Sequence, residues 1–299
     1  MQALANPHEL LQTLLQLKLC EPDSLKPYYP RVRDRDDVSV YRCERSGVYV
    51  LSSCDHLSNK HYQEKSDFSY WKSGTREAAL AATAEDNQRR YAQFKHECEN
   101  KIWADIGTGA GGILDLMIND CKEVFCVEPQ TAARTQLLSL NYSCFSTIEE
   151  LPDNYFDIIT LFHVLEHFTQ PIHALKFLYQ KLKPGGKLLI EVPHARDILL
   201  EFYQLDAFKA FTFWSEHLIL HSKHSLQTFL SHCGFCDIDI NGLQRYSLAN
   251  HLYWLNHSKP GGHQIWSDLT SPLLDQAYAQ QLSKLDMNDT IIAMANKPR

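Results

Sequence analysis

No apolar run in this chain approaches the roughly 18 residues that a membrane-spanning helix needs, so no integral segment is expected. Positive charge is also short. Twenty-nine Lys and Arg face 36 Asp and Glu, for a net charge of -7 and a pI near 6.1. That balance offers no field for a phosphate backbone and argues against a nucleic-acid partner or a membrane-surface role. The opening segment MQALANPHELLQTLLQLKLC lacks a basic stretch followed by a continuous apolar one, so no export leader is expected. Its leucines instead fall at helical spacing and predict a short amphipathic helix from about Pro7 to Lys18. Internal repeats and low-complexity tracts are missing too. Nine cysteines without a leader point to reduced thiols and a cytoplasmic location. What remains is 299 residues with 44% hydrophobic and 22% charged side chains, enough for one large α/β domain plus additions.

After the first helix, Glu21 to Asp37 reads as a Pro- and charge-rich connector. VSVYRC and GVYVLSS then predict two strands around the turn Glu44-Arg45-Ser46-Gly47. A polar, aromatic stretch at 66–71 leads into a predicted helix from Arg76 to Glu97. From there strands and helices alternate, with KIWADI, EVFCVEP, SCFST, FDIITLF and KLLIEVP as strands and Gly- or Pro-bearing turns at their ends. This pattern predicts an α/β fold whose sheet is mostly parallel and covered by helices on both faces. A helix at Ser225–His232 stops at Cys233-Gly234, where glycine can take the left-handed capping conformation. A strand near Asp237–Asn241 follows, then an irregular stretch of about 45 residues that should carry helices. The final TIIAMANK should pair antiparallel with the strand before that stretch. The expected division is a small N-terminal α+β unit over 1–75 and a larger domain over 76–299, with 243–287 inserted before the last strand.

Gly107-x-Gly109-x-x-Gly112 has the spacing of a dinucleotide fingerprint, and Glu128 follows where a ribose-binding acid is expected. On those residues alone an NAD(P)-binding oxidoreductase is one reading. Asp105, two positions before the first glycine, turns the argument. A carboxylate there repels a pyrophosphate but suits a cationic ammonium group. The implied ligand is nucleoside-like at one end and cationic at the other, as S-adenosylmethionine (SAM) is, with Glu128 accepting the ribose hydroxyls.

Asp105-Ile-Gly107-Thr-Gly109-Ala-Gly111 resembles the first motif of class I SAM-dependent methyltransferases, and Glu128 their second-strand acid. Phe156 to His167 (FDIITLFHVLEH) resembles the fourth-strand motif, and Leu182 to Pro193 (LKPGGKLLIEVP) the fifth. The resemblance covers roughly 76–299 and implies a Rossmann-like seven-stranded sheet. It also implies that Gly107, Thr108, Gly109 and Gly111 line the cofactor and that Asp105 lies near its methionine end. The carbonyls around Phe162 and His163 would receive the ammonium group. Thr147 and Ile148 stand where the family often places an acid on the adenine amine, so contact there should be through backbone and apolar surface. Trp71, with Tyr70, is either core of the N-terminal unit or a lid over the cofactor. Asp86 with Arg89 or Arg90 is either a surface ion pair or the source of an arginine for the cofactor's carboxylate.

Metal is not expected. His163-Val-Leu-Glu166-His167 fits a zinc-protease pattern, but a buried strand runs into His163 and Pro171 follows soon after His167, leaving no long helix for it. Cys233-x-x-Cys236 spans a helix end and reads as packing. Relatives that methylate sugars often begin with a zinc ribbon containing C-x-x-C-G; here Cys43-Glu-Arg-Ser46-Gly47 has serine at the second thiolate position. Cys54, His56 and His61 could in principle complete a site, but with one knuckle lost the segment reads as a metal-free remnant.

Methyl transfer asks the protein to align a nucleophile, exclude water and, for a hydroxyl or carbon acid, remove a proton. His194, at the end of the fifth strand, and His217 with Glu216 are the candidate catalytic groups. Glu216-His217 resembles the Glu-His pair of sugar C-methyltransferases, and a histidine beside a carboxylate is a plausible base. The expected activity is methyl transfer from SAM to a small molecule, foremost a sugar, nucleotide-sugar or polysaccharide component. A lipid-quinone-type O-methyltransferase, which shares HVLEH, is the alternative within the class.

Overall fold

The structure, a computed structural model, describes residues 7–57 and 74–299. The chain opens with helix α1 (Glu9–Gln16) and strands β1 (Leu25–Tyr29), β2 (Val40–Cys43) and β3 (Tyr49–Leu51). Helix α2 (Arg76–Cys98) leads into β4 (Ile102–Ile106), α3 (Gly112–Met117), β5 (Glu123–Val127), α4 (Thr131–Ser139) and β6 (Ser143–Phe145). Next come β7 (Phe156–Phe162), α5 (Pro171–Lys181), β8 (Leu182–Pro193), α6 (Ile198–Glu201), α7 (Asp206–Thr212) and β9 (Ile219–Leu220). Helix α8 (Lys223–His232) precedes β10 (Cys236–Leu243), and the chain closes with α9 (Leu248–His257), α10 (Gly262–Ile265), α11 (Pro272–Leu285) and β11 (Thr290–Asn296). Among the described residues no helix is long and apolar enough to cross a membrane.

Seven strands form one sheet in the order β10-β11-β8-β7-β4-β5-β6. The five strands from β4 to β8 run parallel, and β11 pairs antiparallel with both β10 and β8. This is the Rossmann-like sheet that the βα alternation predicts. All five residues of β4 are buried, as a central parallel strand covered on both faces requires. The antiparallel last strand follows from topology: three helices between β10 and β11 return the chain to the edge it has just left.

Two features differ from the sequence reading. Strand β8 begins at Leu182 rather than Lys187, and its register against β7 shifts between Phe156 and Ile158. The Pro184-Gly185-Gly186 run is therefore absorbed as an irregularity inside the strand, with Gly185 at φ 76° and its N–H donating to the Lys297 carbonyl (2.9 Å). Gly186 lies against the Phe156 carbonyl, where a Cβ would sit 3.0 Å from the oxygen. Strand β1 forms inside the segment that composition marks as connector, because pairing with β2 overrides the presence of Pro27.

The N-terminal strands make a second sheet, β1-β2-β3-β9. Its fourth strand comes from far along the chain: Tyr49 pairs with Leu220 and Val50 with Ile219. Leu10, Leu14, Val40 and Val50 lie in the same buried cluster as Leu188, Ile190 and Phe229. The boundary near residue 75 thus divides the sequence more sharply than it divides the packing. Trp71, Tyr70 and His61 lie outside the described residues.

Candidate functional site

Beyond Ile106 the chain passes through Gly107, Gly109 and Gly111 at φ 68°, 60° and 78° before entering α3. Three left-handed positions in five residues demand glycine. At Gly107 a Cβ would also meet Val164 Cγ2 at 2.6 Å. The turn is held by hydrogen bonds to the neighbouring strand: Gly107 N donates to the Val127 carbonyl (2.7 Å) and Gly109 N to Glu128 Oε2 (2.7 Å). Glu128 Oε1 accepts from Gln130 N (2.8 Å). Burial pushes the Glu128 carboxyl up to about 7, against the pull of these two backbone donors.

A cavity of about 740 Å³ opens at the carboxyl ends of the parallel strands, the position where open α/β sheets place ligands. Of the expected cofactor residues, Gly107, Thr108, Gly109, Glu128, Thr147, Ile148, Phe162 and His163 line it. Asp105 and Gly111 do not. Asp105 accepts from Thr160 Oγ1 (2.6 Å), which in turn accepts from Trp103 Nε1 (2.9 Å). Burial pushes its carboxyl up to about 6. These bonds tie β4 to β7 beneath the turn. Gly111 caps α3 and packs toward Leu137.

Helix α2 brings Asp86 and Arg90, weighed from the sequence, into the wall together with Thr83 and Asn87, which sequence reasoning missed along with Arg245 from the segment after β10. Glu191 of β8, fully buried, organises this end. It accepts from Arg89 (2.9 Å) and Arg90 (2.7 Å), with His163 Nε2 at 3.3 Å. Burial opposes its charge, but Arg90, His163 and Arg89 outweigh it and hold the carboxyl well below its usual range. Arg90 lies over the Phe162 ring at 4.7 Å, while Arg245 pairs with Asp86 (2.6 Å). Asp86 and Arg89 also form the i,i+3 pair expected of a helix surface (3.1 Å). Arg245, some 80 residues from His163 in sequence, carries no local signal that could have announced it.

His163 sits at φ 57°, at the head of a turn whose last residues, Leu165–His167, form a single 3₁₀ turn. HVLEH is therefore not on an α-helix. The three candidate catalytic groups all stand outside the cavity lining. His194 is buried with Nδ1 donating to the Asn288 carbonyl (3.1 Å), and burial pushes it down to about 4. Glu216 is buried beside His217 in sequence. The His217 ring packs edge-on against His167 (5.0 Å) and Trp214 (5.2 Å), and burial, reinforced by His167, pushes it down to about 3. The imidazole is thus held among other rings rather than in the cavity lining. The cause is tertiary. Leu218 N donates to the Glu166 carbonyl (2.9 Å), and β9 joins the N-terminal sheet, so the histidine-rich loop passes behind His167.

The cysteines take internal partners. Cys43 lies within 3.4 Å of the Leu19 carbonyl and 3.3 Å of Ser24 Oγ. His56 Nε2 donates to the Ser215 carbonyl (2.7 Å). Cys233 reaches the Ile172 carbonyl and Cys236 the Asn296 carbonyl.

Comparison with known proteins places this geometry in a family. The tRNA U34 carboxymethyltransferase of Hydrogenovibrio crunogenus is 29% identical over 175 residues, covering 51% of this chain and 50% of that protein. A ubiquinone biosynthesis O-methyltransferase of Coxiella burnetii is 30% identical over 109 residues, covering 33% and 46%. The chain thus spans about half the length, or less, of the curated relatives it matches. A chain from the Haloferax volcanii complex of the Trm112 methyltransferase activator with its methyltransferase shares the fold at TM-score 0.51 and 14% identity, covering 79% of this chain and 99% of that one. The family model described as a methyltransferase domain matches residues 82–239, more than half of the chain. The chain belongs to that methyltransferase-domain family, and its seven-stranded sheet is of the Rossmann-like kind.

Proposed function

We propose that this chain transfers a methyl group from SAM to a small, hydroxyl-bearing acceptor, foremost a sugar, nucleotide-sugar or polysaccharide component. The observation that carries the reading is Glu128, a buried carboxylate in the cavity wall with one backbone donor on each oxygen and lone pairs left for a vicinal diol. The glycine turn beside it puts backbone without side chains in the cavity wall at Gly107 and Gly109, where a nucleoside can approach closely. The residues present therefore fit SAM, which when bound supplies a methyl group already activated on a sulfonium.

The rest is the protein's part. Glu128 holds the ribose, Thr147 and Ile148 flank the adenine, and the backbone near Phe162 and His163 receives the ammonium group. Arg90 and Arg245 set the charge at the carboxylate end. His167, Thr169, Gln170 and His173 give the cavity a polar side that suits a hydroxyl-rich acceptor. A second reading, a lipid-quinone-type acceptor, draws support from Phe168, Phe177 and Leu57 in the same wall. The division into an N-terminal unit (1–75) and a cofactor domain (76–299) with 243–287 inserted is part of this proposal.

The test is radiolabelled methyl transfer to matched panels of sugars with nucleotide-sugars and of polyhydroxylated phenols, alongside calorimetric titration with S-adenosylhomocysteine and with NAD(H). Turnover confined to the first panel supports the sugar reading, and turnover confined to the second replaces it. NAD(H) binding as tight as that of the homocysteine product overturns methyl transfer altogether.

A further inference from the structure

We propose that Glu166, His167 and His217 form a site for one divalent transition-metal ion at the edge of the cavity. One ligand atom from each of the three lies within 4.8 Å of those of the other two. The third member arrives from 50 positions along the chain, fixed there by the Leu218 N–H on the Glu166 carbonyl. Glu166 supplies a second, independent observation. Its side chain is fully buried, yet neither carboxylate oxygen accepts a hydrogen bond. The nearest ring nitrogens, His163 Nδ1 at 3.4 Å and His167 Nε2 at 4.0 Å, stand at long ionic distances. His217 Nδ1 is likewise buried without a hydrogen bond. Buried polar groups in folded proteins find partners almost without exception, and the two long histidine contacts leave the Glu166 carboxylate's hydrogen-bonding capacity unfilled.

Two imidazoles and one carboxylate select the ion class. Magnesium and calcium seek oxygen ligands, whereas zinc, cobalt, manganese and ferrous iron accept this mixed set. Three protein ligands leave a coordination position free. Because only His167 of the three belongs to the cavity wall, the ion's role toward an acceptor would be to fix that imidazole in the wall. This role rests on the methyl-transfer reading; the binding of the ion does not. The proposal amends the expectation of no metal, which weighed His163 with His167 on a helix and a thiolate ribbon, not Glu166-His167 with His217.

The experiment uses the full chain, stripped with chelator and titrated with Co(II) and then Zn(II). The expected result is one Co(II) per chain with visible d–d absorption, no thiolate charge-transfer band and a raised melting temperature. Glu166→Gln and His217→Ala should each weaken Co(II) binding about a hundredfold or more, while Cys43→Ser leaves it unchanged. His217→Gln, checked by circular dichroism, serves if His217→Ala does not fold. Absence of binding, a thiolate band lost in Cys43→Ser, or unchanged affinity in folded Glu166 and His217 variants overturns the site. Stoichiometric Co(II) binding without methyl transfer to any acceptor upholds the site and counts only against the function proposed above.

Discussion

Glu128 carries a charge that its surroundings resist. Burial raises its folded-state carboxyl from 4.5 to about 7, so the folded protein holds a proton that the unfolded chain has already released. The stability this protonated group contributes is full below about 4.5, falls as pH rises toward about 7, and is level above it. Ribose binding runs the other way, because the ionised carboxylate is the better acceptor of diol hydrogen bonds. Affinity for S-adenosylhomocysteine should therefore rise as pH passes upward through about 7, and Glu128→Gln should flatten the rise. At high pH Glu128→Ala should cost about 1.5–3 kcal/mol of binding free energy. Calorimetry across that pH range checks both, and a flat wild-type profile would place the ribose elsewhere. Glu128 was legible because its position relative to Gly107 is a local spacing. The bond that Asp105 accepts was not, since it depends on Thr160, a residue of another strand.

At the scale of elements, α2 and β8 are joined across the sheet by Glu191 with Arg89 and Arg90. Removing a partner from a buried, multiply bonded carboxylate leaves its cations uncompensated. Glu191→Ala should destabilise the fold by about 3 kcal/mol, at the low end for such pairs because Arg89 keeps some contact with solvent. Urea denaturation measures this, and a loss below about 1 kcal/mol would show the network to be a surface pairing only. The acid side of the stability profile belongs to the same group. Because the folded-state pKa of Glu191 is depressed, its contribution is present above the ordinary carboxylate range and is lost as pH falls below it. The strands, α2 and the Gly234 helix stop were readable from periodicity and turn residues. β1 and the early start of β8 were not, because backbone pairing with β2 and β7 supplies hydrogen bonds that offset the poor propensities of Pro27 and of Pro184 with its glycines.

For the whole molecule, the shared sheet β1-β2-β3-β9 and the common buried cluster make the N-terminal unit an integral part of the fold. Full-length protein should unfold in one cooperative step, with tryptophan fluorescence and far-ultraviolet circular dichroism giving coincident urea transitions. Two resolved transitions would show that the units fold separately. Deleting residues 1–57 should expose Ile219, Leu220 and their apolar neighbours, lowering the melting temperature or preventing soluble folding rather than releasing an intact cofactor domain.

By itself the sequence determined the class of the sheet, the place of the glycine turn and the acid that follows it. Each rests on interactions between residues close in the chain: the side-chain period of a strand, the φ that only glycine adopts freely, the strand-turn-helix spacing that aims backbone N–H groups at one point. Only the tertiary structure decided where the histidines go. His217 lies behind His167 because a two-residue strand pairs with β3, almost 170 positions earlier in the chain, and that pairing swings the whole loop. Arg245 enters the cavity because the turn that leaves β10 carries it to Asp86 of α2. Such contacts depend on which surfaces meet when the core closes, and no local pattern of residue types records that choice.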